Sequence, residues 1–155
     1  MFENRFEEPI IFVLEPGEVR HELPPLARIG VRYSSGSQGF DRTFTDIGER
    51  TIRFWCGSDE REVEIVKPNA FDLLLWDICV KGGYCGGPTA HVTDLLPSKG
   101  VVTAAQFATL VVEAEGDGGN EGWLATKFAE HMGSSSAPAE MLVQTLENPF
   151  DTDAD

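Results

Sequence analysis

The residues whose types could do chemistry lie near the middle of the chain, where Cys79, Cys85 and His91 follow one another at regular spacing. Thiolates and imidazoles are zinc ligands, but structural zinc sites typically place paired cysteines about two to four residues apart. Here five residues separate Cys79 from Cys85, and five more separate Cys85 from His91. Cys79 also falls within an apolar helical pattern. We therefore expect no metal site and no cofactor.

Cys85 is the strongest candidate nucleophile, because four glycines surround it and Tyr84 in the segment 82–87. A reactive cysteine needs a helix N-terminus or a nearby base that favours its thiolate. Cys85 instead follows the end of a predicted helix, where the helix dipole disfavours a thiolate. We interpret the segment as a helix cap followed by a tight return of the chain.

Cysteine usage and the first residues of the chain bear on the compartment. The three cysteines, Cys56, Cys79 and Cys85, are an odd number. The segment 1–5 has neither the basic start nor the apolar stretch of a signal peptide. An odd count without such a peptide is not typical of a disulfide framework. We predict three reduced thiols and a cytoplasmic protein.

The other nucleophile and base types are scattered. His21, His91 and His131 lie far apart in the sequence, and no serine stands in the strand–turn–helix context of a Gly-x-Ser-x-Gly motif. The glycine-rich segment 36–39 lacks the lysine and hydroxyl residue of a phosphate-binding loop. The sequence therefore predicts no catalytic residue.

The charge of the chain is strongly negative and unevenly distributed. The net charge is −14, from 12 basic and 26 acidic residues, which disfavours contact with nucleic-acid phosphates. Nine basic and 13 acidic residues lie at or before Lys67, whereas only three lysines face 13 acidic residues after it. No apolar run approaches the roughly 18 residues of a membrane span. We expect neither a nucleic-acid nor a membrane partner.

One acidic group stands out in the second half of the chain. No lysine or arginine interrupts it, and two of its members lie near the end of a predicted helix, where the dipole disfavours a negative charge. Such a group can be a solvated face or a docking surface for a basic protein. Its members, which we take as candidate partner-binding residues, are Glu113, Glu115, Asp117 and Glu121.

Trp55 is a fifth candidate partner-binding residue. Strand alternation places it with Arg53, on the face opposite to Phe54 and Cys56. An exposed tryptophan beside arginine is typical of an interface anchor. The alternatives are that helices cover this face or that an arginine stacks on the ring for stability.

Hydrophobic periodicity predicts strands first and helices later. Alternating apolar and polar residues in the segment 9–66, punctuated by glycine- and proline-rich turns, indicate an antiparallel meander of about six strands. The segment 68–148 has helical periodicity and indicates about four helices. Asn69 with Asp72 and Thr103 with Gln106 form capping boxes at two helix starts. A third helix is predicted at 121–132 and a fourth at about 137–147.

The shorter remaining segments complete the expected architecture. The segment 91–93 is expected to pair briefly with the sheet, and residues 149–155 are expected to form an acidic tail. Strands followed by helices argue for an α+β fold, which we take as a single domain covering residues 1–155.

Three functions fit this sequence. The first is a non-enzymatic acidic protein that neutralises or chaperones a basic protein partner, as small bacterial toxin-immunity proteins and inhibitors do. The second is a small enzyme or ligand-binding domain with a pocket between sheet and helices, where Tyr33, Trp55, Cys85 and His91 would be the residues of interest. The third is a subunit of a larger assembly, joined through edge strands.

Overall fold

The computed structural model describes residues 1–34, 43–58, 60–84, 91–116, 119–143 and 146–150. The chain forms two compact units. The first comprises Met1–Pro68 and Leu146–Asp155, and the second comprises Asn69–Thr145. We call them the sandwich unit and the helical unit. The α+β class is confirmed, because most strands precede most helices.

Seven strands form the sandwich unit, in two separate sheets. Alternating apolar residues define most of them, as the sequence predicts. The strands are β1 (Phe2–Glu3), β2 (Ile10–Glu15), β3 (Val19–Leu23), β4 (Arg28–Tyr33), β5 (Phe44–Ile47), β6 (Thr51–Trp55) and β7 (Arg61–Val66).

The strands pair in a more complex order than a meander. One sheet has the order β1-β4-β7 and is antiparallel, and the other has the order β3-β2-β6-β5, in which β2 and β6 run parallel. The hairpin of β2 and β3 pairs Leu14 with Val19. Alternation specifies which face of a strand is buried but not its neighbour, so the parallel pair could not be read from the pattern.

The inner faces of the two sheets share one hydrophobic core. Phe12 is completely buried at its centre, with its ring 5.3 Å from that of Phe2 and 6.2 Å from that of Phe54. Leu23 and Ile29 add fully buried side chains from the two sheets. Aromatic clusters of this kind stabilise a core beyond the area that they bury.

The segment 146–150, which we call the C-terminal strap, contacts the outer face of β4. Arg28 donates hydrogen bonds to the carbonyl of Leu146 and to the side chain of Asn148, both at 2.9 Å. A Cβ atom at Gly30 would lie only 2.6 Å from Pro149. Pro149 is buried, and residues 151–155 of the acidic tail expected at 149–155 lie outside the described residues.

The described residues of the helical unit form five helices and a two-stranded ribbon. The capping boxes at Asn69 and Thr103 are confirmed. Gly83 and Gly133, with φ of 76° and 65°, end two helices in the left-handed conformation that glycine favours. The elements are α1 (Ala70–Gly82), α2 (Val92–Leu95), β8 (Val101–Thr103), α3 (Ala104–Glu115), α4 (Glu121–Met132), β9 (Ser136–Pro138) and α5 (Ala139–Leu142).

Two local expectations in this unit are corrected. The segment 91–93 does not join the sheet, because His91 caps α2 by accepting a hydrogen bond from the Thr93 amide at 3.3 Å. The helix expected at 137–147 is limited to α5, because Ser136–Pro138 pairs with β8 instead. Residues 144 and 145 lie outside the described part of the chain.

The ribbon of β8 and β9 joins the starts of α3 and α5. Val102 lies opposite Ala137 in an antiparallel register. Two symmetrically placed backbone hydrogen bonds flank this pair, from Ala104 N to Ser135 O at 2.8 Å and from Ala139 N to Gly100 O at 2.9 Å. Each strand leads directly into a helix, so the ribbon fixes both helix starts.

The core of the helical unit is built around two phenylalanines. Phe107 of α3 and Phe128 of α4 are completely buried, and their rings are 5.1 Å apart. Phe71 of α1 contacts Phe107 edge to face at 6.0 Å. The fourth residue of α3 therefore meets the eighth of α4, so these two helices run antiparallel.

The cysteines correct a further expectation. Cys56 is a buried free thiol, as the sequence predicts, but Cys79 is disulfide-bonded. Cys85 lies outside the described residues. The odd count was compatible with one disulfide and one thiol, and only the assumption of a reducing compartment excluded that arrangement.

Candidate functional site

Three of the predicted acidic residues lie near one end of the antiparallel pair α3 and α4. Glu113 is exposed near the end of α3, and Glu115 is its last residue and half-buried. Glu121 is exposed in the first turn of α4. Asp117 lies outside the described residues. The short connection between antiparallel helices therefore brings the acidic side chains of both to the same end.

Tyr84 supports this acidic end, a role that was not predicted from the sequence. Its hydroxyl accepts a hydrogen bond at 3.0 Å from the amide of Asn120, the N-cap of α4. Its ring stacks on Trp123 at 6.1 Å. A Cβ atom at Gly82 would lie 2.6 Å from Tyr84 and 2.7 Å from Trp123, so this glycine allows a close approach. The predicted helix cap is confirmed at Gly83, and the predicted return of the chain lies outside the described residues.

Two of the three lysines in the helical unit surround one buried carboxylate. Asp77 on α1 is 9 % exposed. Its oxygens lie 2.5 Å from Lys81 Nζ and 3.4 Å from Lys127 Nζ. His131 Nε2 of α4 lies 3.1 Å from Asp77 Oδ2. The predicted Asp77–Lys81 pair is therefore confirmed as part of a larger cluster that links α1 to α4.

The pKa of Asp77 reflects two opposing effects in this cluster, burial and the neighbouring positive charges. Burial opposes ionisation and acts to raise the pKa, but hydrogen bonds from Lys81 and His131 and the charge of Lys127 outweigh it, so the pKa falls to about 2. Asp77 is ionised at neutral pH. Lys81 therefore compensates a buried negative charge, and Lys127 is shared between Asp77 and the exposed Glu130, whose Oε2 lies 2.7 Å from its Nζ.

Trp55 lies on the outer face of its sheet. Its exposed fraction is 36 %, whereas that of the preceding Phe54 is 8 %. Its ring stacks on that of Phe44 at 5.3 Å, and Arg53 on the same face pairs with Glu15 at 2.9 Å. The alternation that places Trp55 outward is confirmed, and its role as an interface anchor stays a prediction. Phe44 is 55 % exposed and was missed because its strand is short.

Within the sandwich unit, two of the residues proposed for a pocket, Tyr33 and Trp55, do not share a face. The ring of Tyr33 lies in the core of the sandwich unit, 6.1 Å from that of Phe54, and Trp55 points to the opposite face of its strand. His91 is occupied as the N-cap of α2. Cys85 lies outside the described residues.

A groove of about 450 Å³ lies instead within the helical unit, between α2, β8 and α3. Its walls are mainly apolar and include Leu95, Pro97, Val101 and Leu110. Val101 is 62 % exposed at its rim, and Val102 is buried in its floor. We call this feature the α2–α3 groove.

The two polar side chains in the α2–α3 groove already have partners. Gln106 Oε1 accepts a hydrogen bond at 2.9 Å from the Thr103 amide, within the capping box of α3. Thr109 Oγ1 donates at 3.2 Å to the carbonyl of Ala105. Each bond lies within or beside the first turns of α3, so the groove offers a predominantly apolar surface.

Metal and membrane chemistry find no support in the part of the chain that the structure describes. No group of three or more histidine, cysteine, aspartate or glutamate residues there has an arrangement that could hold a metal ion. No helix there is sufficiently long and apolar to cross a membrane.

No protein-family model, no curated protein and no solved structure matches this chain. Function is therefore inferred from the charge and geometry of the described residues. Two features carry that inference: the acidic end of α3 and α4, and the α2–α3 groove.

Proposed function

We propose that this protein is a non-enzymatic acidic binding protein that neutralises or chaperones a basic protein partner. The proposed functional class is that of bacterial toxin-immunity proteins, which inhibit a partner by binding it. The observation that carries the proposal is the one-sided charge of the helical unit. Nine acidic residues and three lysines lie in the segment 69–145, a net charge of −6.

The arrangement of the lysines strengthens this charge asymmetry. Lys81 and Lys127 lie at the buried carboxylate of Asp77. Besides Glu130, which is exposed and pairs with Lys127, four acidic side chains that the structure describes in this unit are exposed to solvent. A field of one sign over such a surface speeds encounter with a basic partner and disfavours acidic ones. The exposed residues are Asp94, Glu113, Glu121 and Glu140.

The position of Glu113 and Glu115 is a second supporting observation. Both lie in the last turn of α3, where the carbonyl end of the helix dipole disfavours negative charge by a few tenths of a kcal/mol or more. Lysine at either position would improve stability. A binding role gives a reason why glutamate is found there instead.

A second candidate function is a small ligand-binding domain or enzyme, and the volume of the α2–α3 groove favours it, because about 450 Å³ is within the range of ligand pockets. Its polar side chains, Gln106 and Thr109, are engaged with the backbone of their own helix start. This engagement favours the binding proposal over catalysis. The third candidate, an assembly subunit, draws support from the exposed apolar side chains of β5, Phe44 and Ile47.

The compartment remains part of the proposal. The sequence favours the cytoplasm, whereas a disulfide at Cys79 is more typical of an oxidising environment. A cytoplasmic protein would keep such a disulfide only if it were protected or transient. Thiol alkylation in intact cells, followed by mass spectrometry of Cys79, would distinguish the two compartments.

The proposal is tested by co-purification of the tagged protein from its own cells at low and high salt. We expect a basic protein that co-elutes at low salt and is released as the salt concentration rises. The double variant Glu113→Gln/Glu121→Gln removes two exposed charges from the acidic end and should reduce recovery severalfold.

The matched control is Glu22→Gln/Glu60→Gln, which removes two exposed charges from the sandwich unit. Recovery with this control should equal that of the unchanged protein. If no basic protein is released by salt, or if the two double variants lose it equally, the acidic helical surface is not the binding site.

A further inference from the structure

The α2–α3 groove has a mainly apolar lining, and acidic residues lie on the two helices beside it. Its floor and rim include Val101, Val102 and Leu110. The two helices beside it carry Asp94, Glu113 and Glu115 and no basic residue, while Lys99 lies in the segment that connects them. A ligand suited to this surface is apolar at its centre and basic around it.

Glu113 lies on the groove side of α3. Gln106, Thr109 and Leu110 line the groove, and Glu113 follows them at i+7, i+4 and i+3. Residues at these spacings share one face of a helix. The exposed carboxylate of Glu113 therefore borders the apolar surface. The sequence alone indicated only that Glu113 belongs to an acidic group.

We propose that the α2–α3 groove receives one bulky apolar side chain from a basic segment of the partner protein. This inference rests on the proposed function and adds the docking site and the chemistry of the docked segment. Apolar anchors in central pockets supply most of the affinity in many interfaces, and surrounding charges guide the approach. The groove would supply the pocket, and Asp94 and Glu113 would contact lysines or arginines beside the anchor.

The floor of the groove is fixed by the backbone hydrogen bonds of a ribbon. Val102 in its floor is 1 % exposed and lies in the ribbon of β8 and β9, opposite Ala137. The bonds from Ala104 to Ser135 and from Ala139 to Gly100 fix both ends of that ribbon. A preformed pocket avoids part of the ordering cost of binding.

The test uses three synthetic peptides of about ten residues. The first has one tryptophan between lysines, the second has alanine in place of the tryptophan, and the third has glutamates in place of the lysines. Binding is followed at low salt through the methyl NMR signals of Leu95, Val101 and Leu110, with the signals of Val13 and Ile29 in the sandwich unit as the reference.

We expect the tryptophan–lysine peptide to shift the groove signals and leave the reference signals unchanged. Replacing its tryptophan with alanine should weaken binding at least about tenfold, as the loss of an interface anchor does. The glutamate peptide should bind at least about tenfold more weakly, because its charge has the same sign as that of the unit.

Two protein variants assign the effect to the groove. Ala105→Trp places a large ring in the groove from an exposed position in the first turn of α3 and should reduce affinity at least about tenfold. The control is Ala70→Trp, at the equally exposed first residue of α1. Circular dichroism of both variants verifies that the helices are retained.

Each contrary result overturns the inference in a recognisable way. If the tryptophan and alanine peptides bind equally, or if Ala105→Trp binds as the control does, the groove holds no anchor. Salt-sensitive binding of both lysine peptides would then leave the acidic binding function standing. If no peptide binds, the groove inference is wrong, and co-purification alone decides the proposed function.

Discussion

The two units use charged residues differently. Each of the seven arginines that the structure describes, all in the sandwich unit, has a carboxylate or carbonyl partner in that same unit. Arg53 with Glu15 and Arg61 with the Glu15 carbonyl are two examples, at 2.9 and 3.0 Å. The other five are Arg5, Arg20, Arg28, Arg32 and Arg50.

In the helical unit the basic residues are few, and two of three lie at Asp77. Lys127 also pairs with Glu130 at 2.7 Å, and the unit has three lysines against nine acidic residues, whereas the sandwich unit has nine basic and 17 acidic residues. Exposed ion pairs each contribute little to stability, so the pairing in the sandwich unit mainly lowers its outward charge. The comparison teaches that the helical unit has the higher ratio of acidic to basic residues, although the sandwich unit has the larger net charge, −8 against −6.

The largest effects should come from the two cores. Phe12→Ala in the sandwich unit and Phe128→Ala in the helical unit each remove a fully buried ring, and each should cost about 3–5 kcal/mol of unfolding free energy. Urea unfolding is followed by far-ultraviolet circular dichroism for the helices and by tryptophan fluorescence.

The same pair of variants tests the single-domain prediction. A single domain predicts that each substitution lowers the stability of both units equally, in one transition. Two separate transitions, with each substitution shifting only its own, would instead make the units independently folding domains. The exposed substitution Val101→Ala should shift neither transition by more than about 0.5 kcal/mol.

Asp77→Asn should have the next largest effect on the free energy of unfolding. It tests whether the buried carboxylate of the helical unit stabilises the fold through its charge. The pKa of Asp77 is lowered from 3.8 to about 2, so its ionised form stabilises the folded state. That contribution, on the order of 2 kcal/mol, is present above about pH 4 and is lost as the pH falls towards 2. The variant should therefore be less stable at pH 7.

The measurement is urea unfolding of both proteins at pH 7 and at pH 2.5. The difference between Asp77→Asn and the unchanged protein should shrink at the lower pH. An equal difference at both pH values would mean that Asp77 acts through packing rather than charge. Asp46→Asn, at an exposed position of β5, serves as the control.

Gly30→Ala should release the C-terminal strap at a smaller cost. The new Cβ would lie 2.6 Å from Pro149 and 2.8 Å from Phe150, and relieving that overlap should cost about 1–2 kcal/mol. Chymotrypsin should then cleave faster after Phe150. In Gly48→Ala the new Cβ meets its nearest neighbour at 3.5 Å, and cleavage should not change. Equal rates in both variants would show that the strap is not held against Gly30.

The smallest expected effect is an increase in stability. Glu113→Lys exchanges an unfavourable for a favourable charge at the C-terminal turn of α3 and should add about 0.3–1 kcal/mol. The same change should weaken co-purification of the basic partner. Thermal unfolding measures the first effect, and Glu22→Lys in the sandwich unit is the charge-matched control. A protein that becomes more stable without losing its partner would contradict the binding role of Glu113.

The sequence predicted the features that depend on neighbouring residues. Capping boxes at Asn69 and Thr103, the glycine at 83 and the helix at 121–132 each follow from groups a few residues apart. Trp55 was placed on the outer face by alternation alone. The sequence identified the acidic residues of α3 and α4 but did not show that they lie at the same end of the helix pair.

Features that depend on distant residues could not be predicted. The parallel pair of β2 and β6, the ribbon of β8 and β9, and the strap beneath Gly30 join segments with no shared periodicity. The α2–α3 groove was missed for the same reason, because two of its three walls come from a four-residue helix and a three-residue strand. The disulfide at Cys79 depends on a partner that spacing did not identify.

The C-terminal strap also delays completion of the sandwich unit during translation. Arg28 and Gly30 are translated early, whereas their partners at 146–150 follow the entire helical unit, residues 69–145. At about 5–20 residues per second the ribosome needs roughly 4–15 s to cross that interval. The outer face of β4 therefore emerges uncovered and must wait for its covering segment. A nascent chain stalled within the helical unit would present that face to chaperones.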